Sequence, residues 1–373
     1  MEIRADQIGS LLRPAWLLDA RARLPAGSPG LREVEDRAIA EAVARQLAIG
    51  LPVVVDGELR RSVFWLDFIA GIDGLVVVDG DERAAFSATP GSAPYVPKGT
   101  RAVAKIKPGE SQLAGDYRFL ADAIAANDPA GMPGHGAIGK ITLPSPTRAH
   151  VLNGREAASR DVYPDMDDYW NDLIAVYQTK IARLEELGCR YIQIDEPYFS
   201  SFVDPAQRAV LEALHGDLDD LLNRYVEVVN ECVRHRRSDT VAGLHICRGN
   251  ARSTWFASGG YDAIAPIVFA RTELDRLLLE YDDERSGSFE ALRHIPANTT
   301  VVLGLVTTKH GELESIDHLR QRVTAAADLV PLDRLALSPQ CGFASVAEGN
   351  LLTEDDQWRK LELVVEASEH LRD

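Results

Sequence analysis

His245, Cys247 and Cys341 are the residues of this sequence best suited to do chemistry. They lie in two short segments rich in apolar residues, Leu244-His245-Ile246-Cys247 and Leu337-Ser338-Pro339-Gln340-Cys341-Gly342. A strand alternates faces, so His245 and Cys247, two apart, project to the same side. One imidazole nitrogen and two thiolates suit a borderline-soft ion such as Zn²⁺. Three protein ligands leave a further position for another side chain or a substrate atom, and a zinc ion with an exchangeable position does chemistry. The competing reading is structural, because a free Cys usually behaves as a small buried hydrophobe. Cys189, opening an apolar strand, and Cys232, inside an amphipathic helix, fit that description.

The elements that must position these groups alternate along the chain. β-rich runs are predicted at 3–8, 53–56, 137–142, 191–194, 240–246, 277–281, 301–306 and 335–337. Amphipathic segments at 31–48, 166–187, 206–234, 316–329 and 355–371 lie between or after them, with apolar residues recurring three and four apart. Alternating strands and helices imply parallel pairing, and eight units imply a single (β/α)8 TIM barrel spanning 1–373. The stretch 74–109, with Gly, Pro and two short β-like pieces, is expected to be an inserted hairpin with loops after the second strand.

Composition supports a globular α/β chain. Of 373 residues, 46 % are hydrophobic and 26 % charged, ample for a core. Four cysteines argue against a disulfide framework and for a reducing, cytoplasmic setting. The N-terminus has no signal-peptide pattern, and no apolar run approaches the ~18 residues needed to span a bilayer. A formal charge of −17 disfavours nucleic acid or an anionic membrane as a partner.

In a TIM barrel the chemistry sits where strands end at their C-terminal side. The residues expected at that mouth are Ser10, Glu58, Asp195, Glu196, His245, Cys247, Glu280, Thr307 to His310, and Cys341. Glu280, closing Leu277-Leu278-Leu279-Glu280, is the natural fourth metal ligand. An ion pair with the nearby Arg285 is its alternative role.

The segments Ile8-Gly9-Ser10, Asp56-Gly57-Glu58, Ile192-Gln193-Ile194-Asp195-Glu196-Pro197, His245-Ile246-Cys247, Leu279-Glu280 and Gln340-Cys341-Gly342 occur in the order in which the cobalamin-independent methionine synthase family carries them. The chain resembles the C-terminal catalytic barrel of that family, and especially its short single-barrel members. The resemblance implies a catalytic zinc held by His245, Cys247, Glu280 and Cys341. It implies homocysteine as the thiol substrate, its amino group bound by Glu58 and Asp195, its carboxylate near Ser10, with Glu196 beside them. A thiol of pKa near ~8.5 is mostly protonated at neutral pH, and coordination to zinc deprotonates it.

Departures from the family leave the methyl donor open. A single barrel over 1–373 is expected to leave no room for the N-terminal barrel that helps hold the polyglutamate tail of methyltetrahydrofolate in the full-length family. Where the family has a Trp-bearing segment after the third strand, this chain reads Thr142-Leu143-Pro144-Ser145-Pro146-Thr147-Arg148-Ala149-His150. The family's proton-donating His aligns with Lys309, with His310 adjacent, and either could protonate a leaving nitrogen. The donor is methyltetrahydrofolate or another methyl carrier, such as methylcobalamin on a corrinoid carrier protein. Two further readings stay open: alkylation of a different thiol, as in epoxyalkane–coenzyme M transferases, with Arg248 facing a sulfonate, and a non-catalytic zinc-binding subunit.

Overall fold

The computed structural model describes residues 4–80, 96–127 and 136–369. Its elements in chain order are α1 (Ala15–Arg23), α2 (Pro29–Ala48), β1 (Val53–Val54), α3 (Leu66–Ala70), β2 (Ile72–Val78), β3 (Gly99–Pro108), α4 (Leu113–Asn127) and β4 (Ile138–Pro144). There follow α5 (Met166–Glu186), β5 (Tyr191–Glu196), α6 (Pro205–His215), α7 (Leu218–Val233), β6 (Val241–Ile246), α8 (Ala265–Arg271) and β7 (Arg276–Glu280). The last are β8 (Thr300–Val306), α9 (Ile316–Ala327), β9 (Leu335–Pro339) and α10 (Glu354–Glu369).

Strands β1, β4, β5, β6, β7, β8 and β9 pair in that order, every neighbour parallel, in one curled seven-stranded sheet. Ala5 bridges in parallel to Leu337 of β9, where the Asp6 N–H donates to the Leu337 carbonyl and the Leu337 N–H to that of Arg4, both at 2.8 Å. The expected first strand therefore lies beside the last, although residues 1–3 fall outside the described residues. This α/β arrangement is consistent with a TIM-like barrel.

Burial explains the strands. Every residue of β5, β7 and β9 is buried, as a parallel sheet covered by helices requires. Each fully buried Leu or Val there contributes roughly 1.5–3 kcal/mol. Helix α5 buries Tyr169, Trp170, Leu173, Val176, Tyr177, Ile181 and Leu184, a stripe of three- and four-residue steps. Its N-cap, Asp165, accepts the Asp167 N–H at 2.9 Å.

The helix expected over 206–234 is two helices. Gly216, at φ 80°, ends α6 in a conformation only glycine adopts easily. Asp217 then caps α7, accepting the N–H groups of Asp219 (2.9 Å) and Asp220 (3.0 Å). Within 74–109 the structure shows β2 and β3 as an antiparallel pair, running from Ile72 opposite Pro108 to Val78 opposite Gly99. Residues 81–95 between them lie outside the described residues. The pair is tied to the segment just before α5 by the Ile106 N–H, which donates to the Tyr163 hydroxyl at 2.7 Å. Among the described residues no helix is long and apolar enough to cross a membrane.

Candidate metal centre

Strands β6, β7 and β9 finish at one end of the sheet and deliver His245, Cys247, Glu280 and Cys341 to one point. All four are buried, and one ligand atom from each lies within 4.8 Å of the others. The Cys247 and Cys341 sulfurs are 3.4 Å apart. Tetrahedral zinc with ordinary bond lengths spaces its ligand atoms by roughly 3.3–3.8 Å.

The unsatisfied atoms point to a cation more strongly than the spacing does. His245 Nδ1 lies 3.2 Å from the Leu278 carbonyl. A carbonyl only accepts, so Nδ1 carries a proton, and Nε2 of the neutral ring offers its lone pair. Nε2 is buried without a hydrogen-bond partner among the described residues, and so is Glu280 Oε2. Buried polar atoms are rarely orphaned, and here two lone-pair atoms converge with two sulfurs. Without a cation, the proton shared between the sulfurs draws Cys341 well below the usual thiol range and pushes Cys247 well above it. Burial pushes the Glu280 carboxyl up to about 7, with the Cys341 sulfur adding to the effect and Lys309 opposing it. The donor set fits a zinc ion, which would relieve this crowding of negative groups.

The ion-pair alternative for Glu280 is not what the fold builds. Arg285 pairs with Asp282 at 3.1 Å and with Asp283 at 2.7 Å. Glu280 Oε1 instead accepts the Arg248 N–H at 3.2 Å.

Two carboxylates adjoin the centre. Asp195, next to last in β5, stands directly opposite His245 of β6, and its Oδ1 accepts the Gln193 amide at 2.7 Å. Burial raises its pKa. Glu58 follows β1 with φ 54°, an unusual backbone for a side chain with a Cβ. The Asp56 carboxylate stabilises this turn by accepting the Glu58 N–H at 2.8 Å. Glu58 Oε1 accepts the Thr142 hydroxyl at 2.8 Å, while Oε2 is buried without a partner among the described residues. Burial raises Glu58 also, with Arg61 at 3.7 Å opposing the shift. Gly9 makes room, since a Cβ there would fall 2.8 Å from Glu58 Oε1. Ser10 is held against the Cys341 loop: its hydroxyl accepts the Ala344 N–H at 3.2 Å, and a Cβ on Gly342 would collide with it.

One cavity of about 580 Å³ joins these groups, lined by Ser10, Glu58, Asp195, His245, Cys247 and Cys341 at its polar end. The remaining wall is largely apolar and includes Phe64, Trp65, Tyr198, Leu211 and Phe256. Trp65 comes from the segment after β1, so the aromatic wall does not need the Trp missing after β4. Arg148 stacks on it, 3.9 Å from the ring centre. The run Val63-Phe64-Trp65 just beyond Glu58 was the signal for this wall.

Other expected residues are placed elsewhere. Glu196 is fully buried but turned from the cavity, accepting the Tyr198 N–H at 2.8 Å and the Thr147 hydroxyl. Arg248 is buried over the Tyr261 ring at 4.3 Å. Lys309 Nζ donates to Asn250 Oδ1 at 2.8 Å and to the Thr254 carbonyl at 3.2 Å, close enough for its charge to act on Glu280 and Cys341. His310 is exposed. Lys140 and Gln193, polar residues inside β4 and β5, escaped the sequence reading. A charged residue within a buried strand was the available signal.

The chain is similar to several known proteins. The family described as "Cobalamin-independent synthase, Catalytic domain" matches residues 156–369. The uncharacterized protein YxjH of Bacillus subtilis is 41 % identical, covering 97 % of this chain and 93 % of its own. A methionine synthase of Saccharolobus solfataricus is 24 % identical, covering 98 % and 94 % respectively. A solved structure from Listeria monocytogenes, a candidate vitamin-B12-independent methionine synthase, is 28 % identical and superposes with a TM-score of 0.76 over 99 % of this chain and 97 % of that one. By its matched segment and by a relative alike over almost its whole length, this chain belongs to the cobalamin-independent methionine synthase family.

Proposed function

We propose that the protein is a zinc-dependent thiol methyltransferase that converts homocysteine to methionine. The observation that carries this reading is the buried His245, Cys247, Glu280 and Cys341 cluster opening into a cavity beside two carboxylates. His245 Nε2, both sulfurs and Glu280 would hold the ion. When bound, zinc supplies an anchor for the substrate sulfur and lowers its pKa, so that a nucleophile exists at neutral pH.

The chain's own residues do the rest. Glu58, with an unpartnered carboxylate oxygen, and Asp195 receive the substrate ammonium group. Ser10 lies where the substrate carboxylate would reach. The sulfur attacks the donor methyl carbon. A C–S bond forms while the bond from carbon to the leaving atom breaks and its electron pair leaves with that atom. Lys309 is the candidate to protonate a nitrogen leaving group. A thiol bearing a sulfonate and no amine would leave both carboxylates unmatched, which favours an amino-acid thiol over the coenzyme M type.

The cavity exceeds what homocysteine alone fills, and its aromatic wall offers a place for the donor. That donor is methyltetrahydrofolate or another carrier such as methylcobalamin, whether small or protein-borne. The catalytic unit in this reading is one cytoplasmic (β/α)8 barrel over 1–373, with 74–109 as an inserted hairpin. X-ray absorption at the zinc edge, with and without homocysteine, tests the proposal. A gain of one sulfur neighbour at ~2.3 Å supports it, and an unchanged zinc environment overturns it.

A further inference from the structure

Behind the cavity runs a chain of hydrogen bonds that begins at a buried cation. Lys140 has no exposed surface. Its Nζ donates to Asp6 Oδ1 at 2.8 Å, to Gln193 Oε1 at 2.7 Å and to the Gln7 carbonyl. Asp6 is held in turn by the Tyr191 hydroxyl at 2.7 Å and the Gln7 N–H at 2.8 Å, with Arg276 at 3.5 Å. The ladder between β4 and β5 pairs Lys140 with Tyr191, Thr142 with Gln193 and Pro144 with Asp195. The chain of bonds therefore climbs two residue pairs at a time toward the cavity.

An ammonium group can only donate. Gln193 must turn its oxygen to Lys140, which fixes its amide nitrogen on the opposite side. That nitrogen donates to the Ile8 carbonyl and to Asp195 Oδ1, both at 2.7 Å. Remove the cation and the Gln193 oxygen loses its buried donor, so only the Ile8 carbonyl and Asp195 itself would hold the amide in place. The placement of a cavity carboxylate is thus reinforced from behind by a charge that never meets the cavity.

We propose that Lys140 is a positioning residue for recognition of an amino-acid thiol, locking the Gln193 amide so that Asp195 keeps a carboxylate oxygen for the substrate ammonium group. The inference rests on the role given above to Asp195. It makes the α-amino group, rather than the thiol, the feature that Lys140 helps to select.

The test is calorimetric binding of homocysteine and of 4-mercaptobutyrate, the same thiol without the amine, to the zinc-loaded full chain. Lys140→Met is expected to weaken homocysteine about tenfold or more, the scale of a hydrogen bond to a charged group, and to leave 4-mercaptobutyrate within about twofold. Asp6→Asn disturbs the same buried pair but keeps the bond from Lys140 to Gln193, so it is expected to leave both affinities unchanged. If Lys140→Met does not fold, Gln193→Met removes the link itself and is expected to show the same selective loss. Equal weakening of both thiols, or no weakening, overturns the inference while the proposed function stands. Wild-type protein that fails to bind homocysteine overturns the proposed function and this inference with it.

Discussion

The sulfurs of Cys247 and Cys341 lie 3.4 Å apart although 94 positions separate the residues. Two thiolates at that distance repel unless a cation lies between them. His245 Nε2 and Glu280 Oε2, both buried without partners among the described residues, face the same point and could share such a cation.

Cys247→Ser and Cys341→Ser are each expected to lose zinc while keeping the fold. Removing an outer partner of a metal ligand already costs about 10–100-fold in affinity, and removing a ligand should cost more. Metal content by mass spectrometry and far-UV circular dichroism check both halves. A full equivalent of zinc retained by both variants would show that these sulfurs are not ligands.

The stability of the metal-free protein should carry the mark of Glu280. Its folded pKa, about 7, lies above that of the unfolded chain. At low pH both states hold the proton. As pH rises toward 7, the folded state pays to keep it or to ionise, so stability is lost across that window. In chelator, Glu280→Gln should match wild type below the ordinary glutamate value of 4.5 and exceed it above pH 7, by on the order of 3 kcal/mol. With zinc the order should reverse, because the ion needs the carboxylate. Thermal melts across pH, with and without metal, read both signs.

On the proposed function, Asp195→Asn and Glu58→Gln should raise the KM for homocysteine by about 10-fold or more, since each would remove a charge that faces the substrate ammonium group. Zinc content should not change. Unaltered kinetics in both variants would make the two carboxylates structural.

Lys309→Met should lower kcat by about 10²–10⁴-fold with a donor whose leaving nitrogen takes a proton. His310→Ala should fall within about twofold of wild type, because His310 is exposed. Steady-state rates separate the two, and the reverse pattern would transfer the role to His310.

Much was legible in the sequence because strand periodicity is local. The two-residue step from His245 to Cys247 and the apolar runs before Glu280 and Cys341 determined that these groups stand at strand ends. Parallel pairing then required those ends to share one side of the sheet. The break at Gly216 was readable in principle, since Gly followed by Asp is a helix stop followed by a cap.

What only the tertiary structure decided is which atoms meet. Glu280 and Arg285 are close in sequence, yet Arg285 pairs with Asp282 and Asp283. Asp195 and Glu196 are adjacent, yet the pleat sends one to the cavity and the other to the Thr147 hydroxyl. Lys140 reaches Asp195 only through Gln193. Local sequence sets the side of a strand on which a residue stands. The partners it finds there come from elements far along the chain, and only folding brings them within the few ångströms over which hydrogen bonds and charges act.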